Sequence, residues 1–276
     1  MRHKHRIRQM IIHYLLSFIL MLSIVIVVVM TIGKIFFLSE RAVLHASEKT
    51  HYYYNLKNEV ETKAMDYAVP YGIGKECLRG VFQESEVKSD VIKTFDEKVE
   101  GTKAVIDTGE IDRRIRANVE KSMGKLDVSQ TKSLNTYIKK VQDMYMNKLH
   151  YPTEDFMADL INRTTKFAWI SIPLALLIAI LCSFYLIVSR HLAYHGIRYV
   201  VYGVMGAGAL LTVGFSAMIS NGSIYNYNIT DSYLKELYAY WIGHPLLLYV
   251  IAGISILVIG LIGIFIVYRQ KYAIRR

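Results

Sequence analysis

The sequence predicts an all-α integral membrane protein, with four transmembrane helices and an extracytoplasmic helical bundle between the first and second. Three observations lead there. Hydrophobic residues make up 53% of the 276-residue chain and its mean hydropathy is +0.26, unlike an ordinary soluble composition. Four stretches, Met10 to Leu38, Trp169 to Val188, Ile197 to Ile219 and Pro245 to Tyr268, stay apolar for about 20 residues or more, enough at 1.5 Å per residue to cross a hydrocarbon core of about 30 Å. Residues 39–166 hold only two prolines, Pro70 and Pro152, and their apolar residues recur at helical spacing.

Charge sets the expected orientation. The formal charge is +10, and the excess lies in three places. Arg2, Lys4, Arg6 and Arg8 precede the first stretch, Arg190 and Arg198 lie in and just after the connection 189–196, and Arg269, Lys271, Arg275 and Arg276 follow the fourth stretch, with no Asp or Glu among them. Residues 39–166 carry 21 basic and 21 acidic side chains, and Lys34 and Lys235 balance Asp231 and Glu236. The positive-inside rule therefore places the tails 1–9 and 269–276 and the loop 189–196 in the cytoplasm, and 39–166 and 220–244 outside the plasma membrane. Basic residues that flank lipid meet anionic headgroups, so the charge gives no support to nucleic acid as a partner. Tyr14, Trp169, Tyr185, Tyr194, Tyr199, Tyr202, Trp241, Tyr249 and Tyr268 fall near segment ends, where amphipathic rings favour the headgroup region.

Span 1 (10–38) follows a basic tail in the order of a secretory signal. The apolar run continues from Ile11 to Val29 without a small-residue cleavage site, so it reads as an uncleaved anchor. No Gly or Pro interrupts residues 35–69, which predicts one amphipathic helix from Glu40 to Tyr67, continuous with the first span. The stretch DYAVPYGIGKECLRGVF, Asp66 to Phe82, then supplies Pro70, Gly72 and Gly74, residues that stop a helix and turn the chain at the membrane-distal end. Two readings stand for this corner: an apolar turn packed into the bundle, or a partner-binding tip using Tyr71, Ile73, Cys77 and Phe82. Further helices are expected at Ser85 to Glu100, with Ser85 as N-cap, through Ile111, Ile115 and Val119 to Gly124, and at Ser129 to Leu149. Thr153 is expected to cap a last helix, with Phe156, Leu160 and Ile161 inward, that runs into span 2 (167–188). Such stripes need one another for burial, which predicts a compact bundle rather than a coiled-coil rod.

Span 3 (197–219) carries a ribbon of small residues, Gly203, Gly208, Thr212 and Ser216, and span 4 (245–268) offers Gly253, Gly260 and Gly263. Such ribbons let helices approach closely within the chain or in a homo-oligomer. No Asp or Glu occurs in the spans, which disfavours a proton-coupled pump. His13 and Lys34 are expected to reach headgroups from the two ends of span 1. Cys77 and Cys182 are too far apart in the predicted topology to pair, and Cys77 reads as a small buried hydrophobe before an intermolecular bridge. His191 and His195 have metal-ligand spacing but no Cys, Asp or Glu nearby, and read as interfacial side chains. Asn162-Arg-Thr164, Asn221-Gly-Ser223 and Asn228-Ile-Thr230 fit the N-glycosylation pattern, which carries meaning only in a eukaryotic source. With no nucleophile elbow, phosphate-binding Gly loop or metal cluster, no enzyme activity and no cofactor are expected.

One span, an outer domain and three further spans with both ends inside resembles the layout of the FtsX and MacB class of ABC-transporter permeases. That resemblance implies an ATPase as partner and a role in export or mechanotransmission. The loop SRHLAYHGIRY is short for the coupling helix by which such permeases engage the ATPase, and no residue is carried over. The composition, rich in Lys, Ile and Tyr and poor in Cys and Pro, resembles low-GC Gram-positive bacterial membrane proteins. The reading favoured by the residues is a non-enzymatic scaffold, sensor or accessory subunit. Its partners are the lipid bilayer and a protein, peptide or envelope component met through the outer domain or the membrane helices.

Overall fold

The computed structural model describes residues 2–101, 103, 105–124, 127–151, 154–189, 193–222, 229 and 231–273, and among these the chain is helical with no strand. Helix α1 (Arg2–Ile32) passes through a π-helical turn, Gly33–Phe37, into α2 (Glu40–Lys49) and α3 (Tyr52–Ala68). Two 3₁₀ turns, Val69–Tyr71 and Lys75–Leu78, lead to α4 (Glu84–Glu100), α5 (Gly109–Met123) and α6 (Val128–Leu149). Then come α7 (Glu154–Val188), α8 (Ala193–Ser220) and α9 (Ser232–Ala273). Among the described residues four helices are long and apolar enough to cross a membrane: Gln9–Phe37, Met157–Val188, Gly196–Ser220 and Ser232–Arg269. The chain divides into two compact units, one of residues 1–42, 163–230 and 238–276, the other of 43–162 and 231–237.

In the first unit the small-residue ribbon of α8 faces two ways. A Cβ on Gly203 would lie 2.9 Å from Ser17 O of α1, and one on Gly208 would lie 2.8 Å from Gly253 O of α9. A Cβ on Gly253 would come within 2.7 Å of the Thr212 amide, while Gly260 and Gly263 face Met205 and Val201. These backbones meet where any larger side chain would separate them. Ser216 is half-buried. Leu20 of α1, which also lies against Gly203, packs with Cys182 and Leu186 of α7. Both tryptophans of the chain hold the π turn: Trp241 Nε1 donates to Phe37 O at 2.9 Å, and Lys34 Nζ sits 4.1 Å above the Trp169 ring.

His13 departs from the expectation that it reaches headgroups. It is buried, with Nδ1 2.5 Å from Gln9 O and Nε2 2.9 Å from Ser189 Oγ. A carbonyl only accepts, so Nδ1 carries the proton, and in the neutral ring Nε2 accepts from the serine hydroxyl. Ser17 Oγ donates to Tyr199 O at 2.8 Å, adding a second polar tie between α1 and its neighbours.

The second unit has its own core. Val60, Leu78, Val91, Phe95, Ile115, Val141 and Leu149 are fully buried, each on the stripe its helix presents. Tyrosines enlarge that core by giving their hydroxyls local acceptors: Tyr137 donates to Ala64 O at 2.9 Å, and Tyr145 to Asp90 Oδ2 at 2.8 Å. Ser47 donates to Val43 O, so at 2.8 Å it is the Tyr151 hydroxyl that donates to Ser47 Oγ. Asp127 and Gln130 form a capping box at the start of α6.

Three boundaries differ from the sequence reading. The expected continuous helix from span 1 to Tyr67 is broken twice. Leu38 leaves the π turn and Ser39 Oγ accepts from Ala42 N to start α2, then His51 adopts φ +51° between α2 and α3. Neither break needs Gly or Pro, because a serine cap and a left-handed histidine suffice. Helix α4 begins at Glu84 after Gln83, so Ser85 lies inside it and is not the cap. Helix α9 starts at Ser232, making most of the expected outer loop helical and carrying Pro245 in its interior. Thr153 lies outside the described residues, but α7 does run unbroken from Glu154 through the second span.

Candidate functional site

The corner predicted from Pro70, Gly72 and Gly74 is built as a double turn. Helix α3 stops at Ala68, Gly72 takes φ +69°, and Ile73 N donates to Ala68 O at 3.3 Å, satisfying a carbonyl that the helix leaves open. Gly80 takes φ +73° before Val81. Side chains from α5 then hold the corner's carbonyls: Asn118 Nδ2 donates to Cys77 O and Arg114 Nη1 to Val81 O, both at 2.9 Å. Arg114 is itself oriented by two bonds of 2.5 Å to the Glu86 carboxylate.

Of the four candidate partner-binding residues, three lie inside. Cys77 and Phe82 are buried, Phe82 against the Tyr145 ring at 5.7 Å, and Ile73 is 7% exposed. Cys77 and Cys182 are free and buried. Tyr71 is half-buried, its ring 5.6 Å from that of Tyr137. Tyr71 and Ile73 line an open cleft of about 210 Å³ whose other walls come from α5 and α6, among them Val119, Met123, Ser133 and Leu134. Met123 at its rim is 46% exposed, and Val128, beside the lining residue Ser129, is 90% exposed. The corner is thus a packed turn with one accessible edge, where Val69, Met123 and Val128 are exposed and Tyr71 is half-buried.

A second concavity escaped the sequence reading because its residues come from distant stretches. Glu59 on α3 accepts from Lys63 Nζ at 2.7 Å, from Lys148 Nζ at 2.6 Å and from the Tyr233 hydroxyl. Burial raises the Glu59 pKa, but the hydrogen bonds from Lys148, Lys63 and Tyr233 outweigh it and hold the carboxyl at about 2. Beside this knot is a cleft of about 350 Å³ lined by Lys63, Tyr67, Lys140, Met144, Asn147 and Lys148. A second cleft of about 340 Å³ shares Asn147 and Lys148 and adds Tyr52, Tyr151, Asp231 and Tyr233. Tyr52 stacks on Tyr151 at 5.0 Å and meets the Tyr233 ring at 5.7 Å. Only the (i, i+4) pair Glu59 and Lys63 was visible as a local signal.

His191 lies outside the described residues, as do parts of the sequons at Asn221 and Asn228. Among the described residues no group of three His, Cys, Asp or Glu side chains is placed to hold a metal ion. Comparison with family models, with curated proteins and with solved structures finds no match to the chain.

Proposed function

We propose that the chain is a non-enzymatic multi-pass protein of the plasma membrane, with both termini cytoplasmic, whose helical unit recognises a protein or peptide partner outside. The observation that carries this reading is the corner cleft. A corner whose Cys77 and Val81 carbonyls are held by Asn118 and Arg114 presents Tyr71 and Met123 at an opening lined by Ile73, Val119 and Leu134 together with Ser129, Gln130 and Ser133. Rigid presentation of aromatic and Met side chains suits partner recognition, because little side-chain and loop freedom is lost on docking. The orientation rests on the confinement of the net positive charge to the tails and the 189–196 region.

The test is capture of the full chain from its native membrane in mild detergent. A partner is expected with the wild type and with Met123→Leu, and is expected to be lost with Met123→Glu, which places a charge on an exposed position and leaves the fold intact. Recovery of this chain alone, or of the same proteins with the wild type and both variants, would refute the reading. Capture of an ATPase that is lost on Arg198→Ala would instead favour the permease-like subunit.

A further inference from the structure

The lysine and tyrosine clefts around Glu59 point to a small ligand and stand apart from the corner and its partner. The charge of residues 39–166 is balanced as a whole, yet one cleft gathers Lys63, Lys140 and Lys148 with the amide of Asn147. The carboxylates facing these cations are Glu59, shared by Lys63 and Lys148, and Asp231 in the adjoining cleft, whose charge also acts on Lys63. Lys140 meets the Tyr67 ring at 4.4 Å and makes no ion pair among the described residues, so its charge is available. Three lysines lining one concavity, two of them paired with Glu59 and the third over the Tyr67 ring, suit a multiply charged anion, since each supplies a point charge and movable donors. The adjoining cleft is of another character. It is lined by the half-buried Tyr233 and by the buried rings of Tyr52 and Tyr151, and Asp231, Asn147 and His150 bring acceptors and donors to it. Both volumes, about 350 and 340 Å³, fall in the range of small-molecule sites.

We infer that the two clefts, which share Asn147 and Lys148, together bind a phosphorylated sugar or polyol. The phosphate lies among Lys140, Lys63 and Lys148, and the hydroxyls lie against Tyr233 and within reach of Asp231 and Asn147. Glu59 serves as the internal anion for two of the lysines, so an arriving phosphate shares cations that are already positioned. The same phosphate and hydroxyl chemistry is offered by a free sugar or polyol phosphate and by a phosphatidylglycerol headgroup.

Titration of the detergent-solubilised full chain with glycerol 3-phosphate, inorganic phosphate and glycerol tests the assignment. Glycerol 3-phosphate is expected to saturate and to bind roughly fivefold or more tighter than inorganic phosphate, with no binding of glycerol alone. Lys140→Gln, at an exposed position, is expected to weaken both anions about tenfold without changing the unfolding temperature. Asp231→Asn is expected to reduce only the advantage of glycerol 3-phosphate over phosphate. In nanodiscs, competition by phosphatidylglycerol identifies the headgroup as the source, and its absence identifies the free phosphate ester; either result supports the site. The inference fails if neither anion binds saturably, if Lys140→Gln binds like wild type, or if phosphate and glycerol 3-phosphate bind equally. None of these outcomes depends on whether Met123→Glu affects partner capture.

Discussion

Single residues in the helical unit show how polar groups enter a small core. Tyr137, Tyr145 and Tyr151 are buried because each hydroxyl has an acceptor on a neighbouring helix, and burial pushes all three phenols up, keeping them protonated donors. Tyr137→Phe keeps the ring and loses the bond to Ala64 O, and is expected to cost about 1 kcal/mol in denaturant unfolding. Tyr137→Ala removes the ring too and should cost about 3–5 kcal/mol. Glu59 sets a pH response. Its carboxyl has an ordinary value of 4.5 and is held at about 2 in the folded unit, so the unfolded chain binds protons first on acidification. The stability it contributes is present above about pH 4.5 and is lost as pH falls toward about 2. The unfolding temperature of wild type should drop more steeply over that window than that of Glu59→Gln. Parallel curves would show that Glu59 is not held by its three donors.

At the scale of elements, the stripes of α4, α5 and α6 were legible because the period of a buried helix face is written in Val87, Val91 and Phe95, in Ile111, Ile115 and Val119, and in Leu134, Ile138 and Val141. The corner was legible for a different reason: Pro70 and Gly72 act on the backbone locally, whatever surrounds them. What the sequence hid are features decided by partners far along the chain. The break at His51 has no Gly or Pro, burial of His13 depends on Ser189, and the start of α9 at Ser232 runs against the expectation that Pro245 opens the helix. The candidate site divides the same way, with Tyr71 readable as part of a turn and the two clefts around Lys148 assembled from α3, α6 and α9. Small residues in the membrane helices are informative only once their neighbours are known. Gly253 meets the Thr212 amide, whereas a Cβ on Gly214 would have nothing within 4 Å. Gly253→Leu is therefore expected to lower the unfolding temperature in detergent by several degrees. Gly214→Ala should hold or raise it slightly, since Ala is the better helix former by about 1 kcal/mol. Equal effects at the two positions would show that close approach of α8 and α9 does not matter.

For the whole molecule, neither compact unit is one continuous length of chain. The helical unit takes residues 43–162 and then a short return, Asp231–Leu237, from the first turns of α9. That return is not a passive linker, because Leu234 and Leu237 are buried and Tyr233 donates to Glu59. A fragment of 43–162 alone therefore lacks two core side chains and one of the three donors on Glu59, and it should unfold more easily than the same unit in the full chain. The sharper form of this expectation uses point variants. Leu237→Ala and Leu234→Ala lie in the helix counted as a membrane span, Ser232–Arg269, so a purely membrane role predicts that their effect stays in that span. Burial in the helical unit predicts instead a loss of about 2–5 kcal/mol for each, felt in residues 43–162. Amide hydrogen exchange on the intact protein separates the two. Faster exchange in α3 and α6 with unchanged protection in α8 is the expected pattern, and protection lost only within α9 would show that the return segment carries no weight in the helical unit.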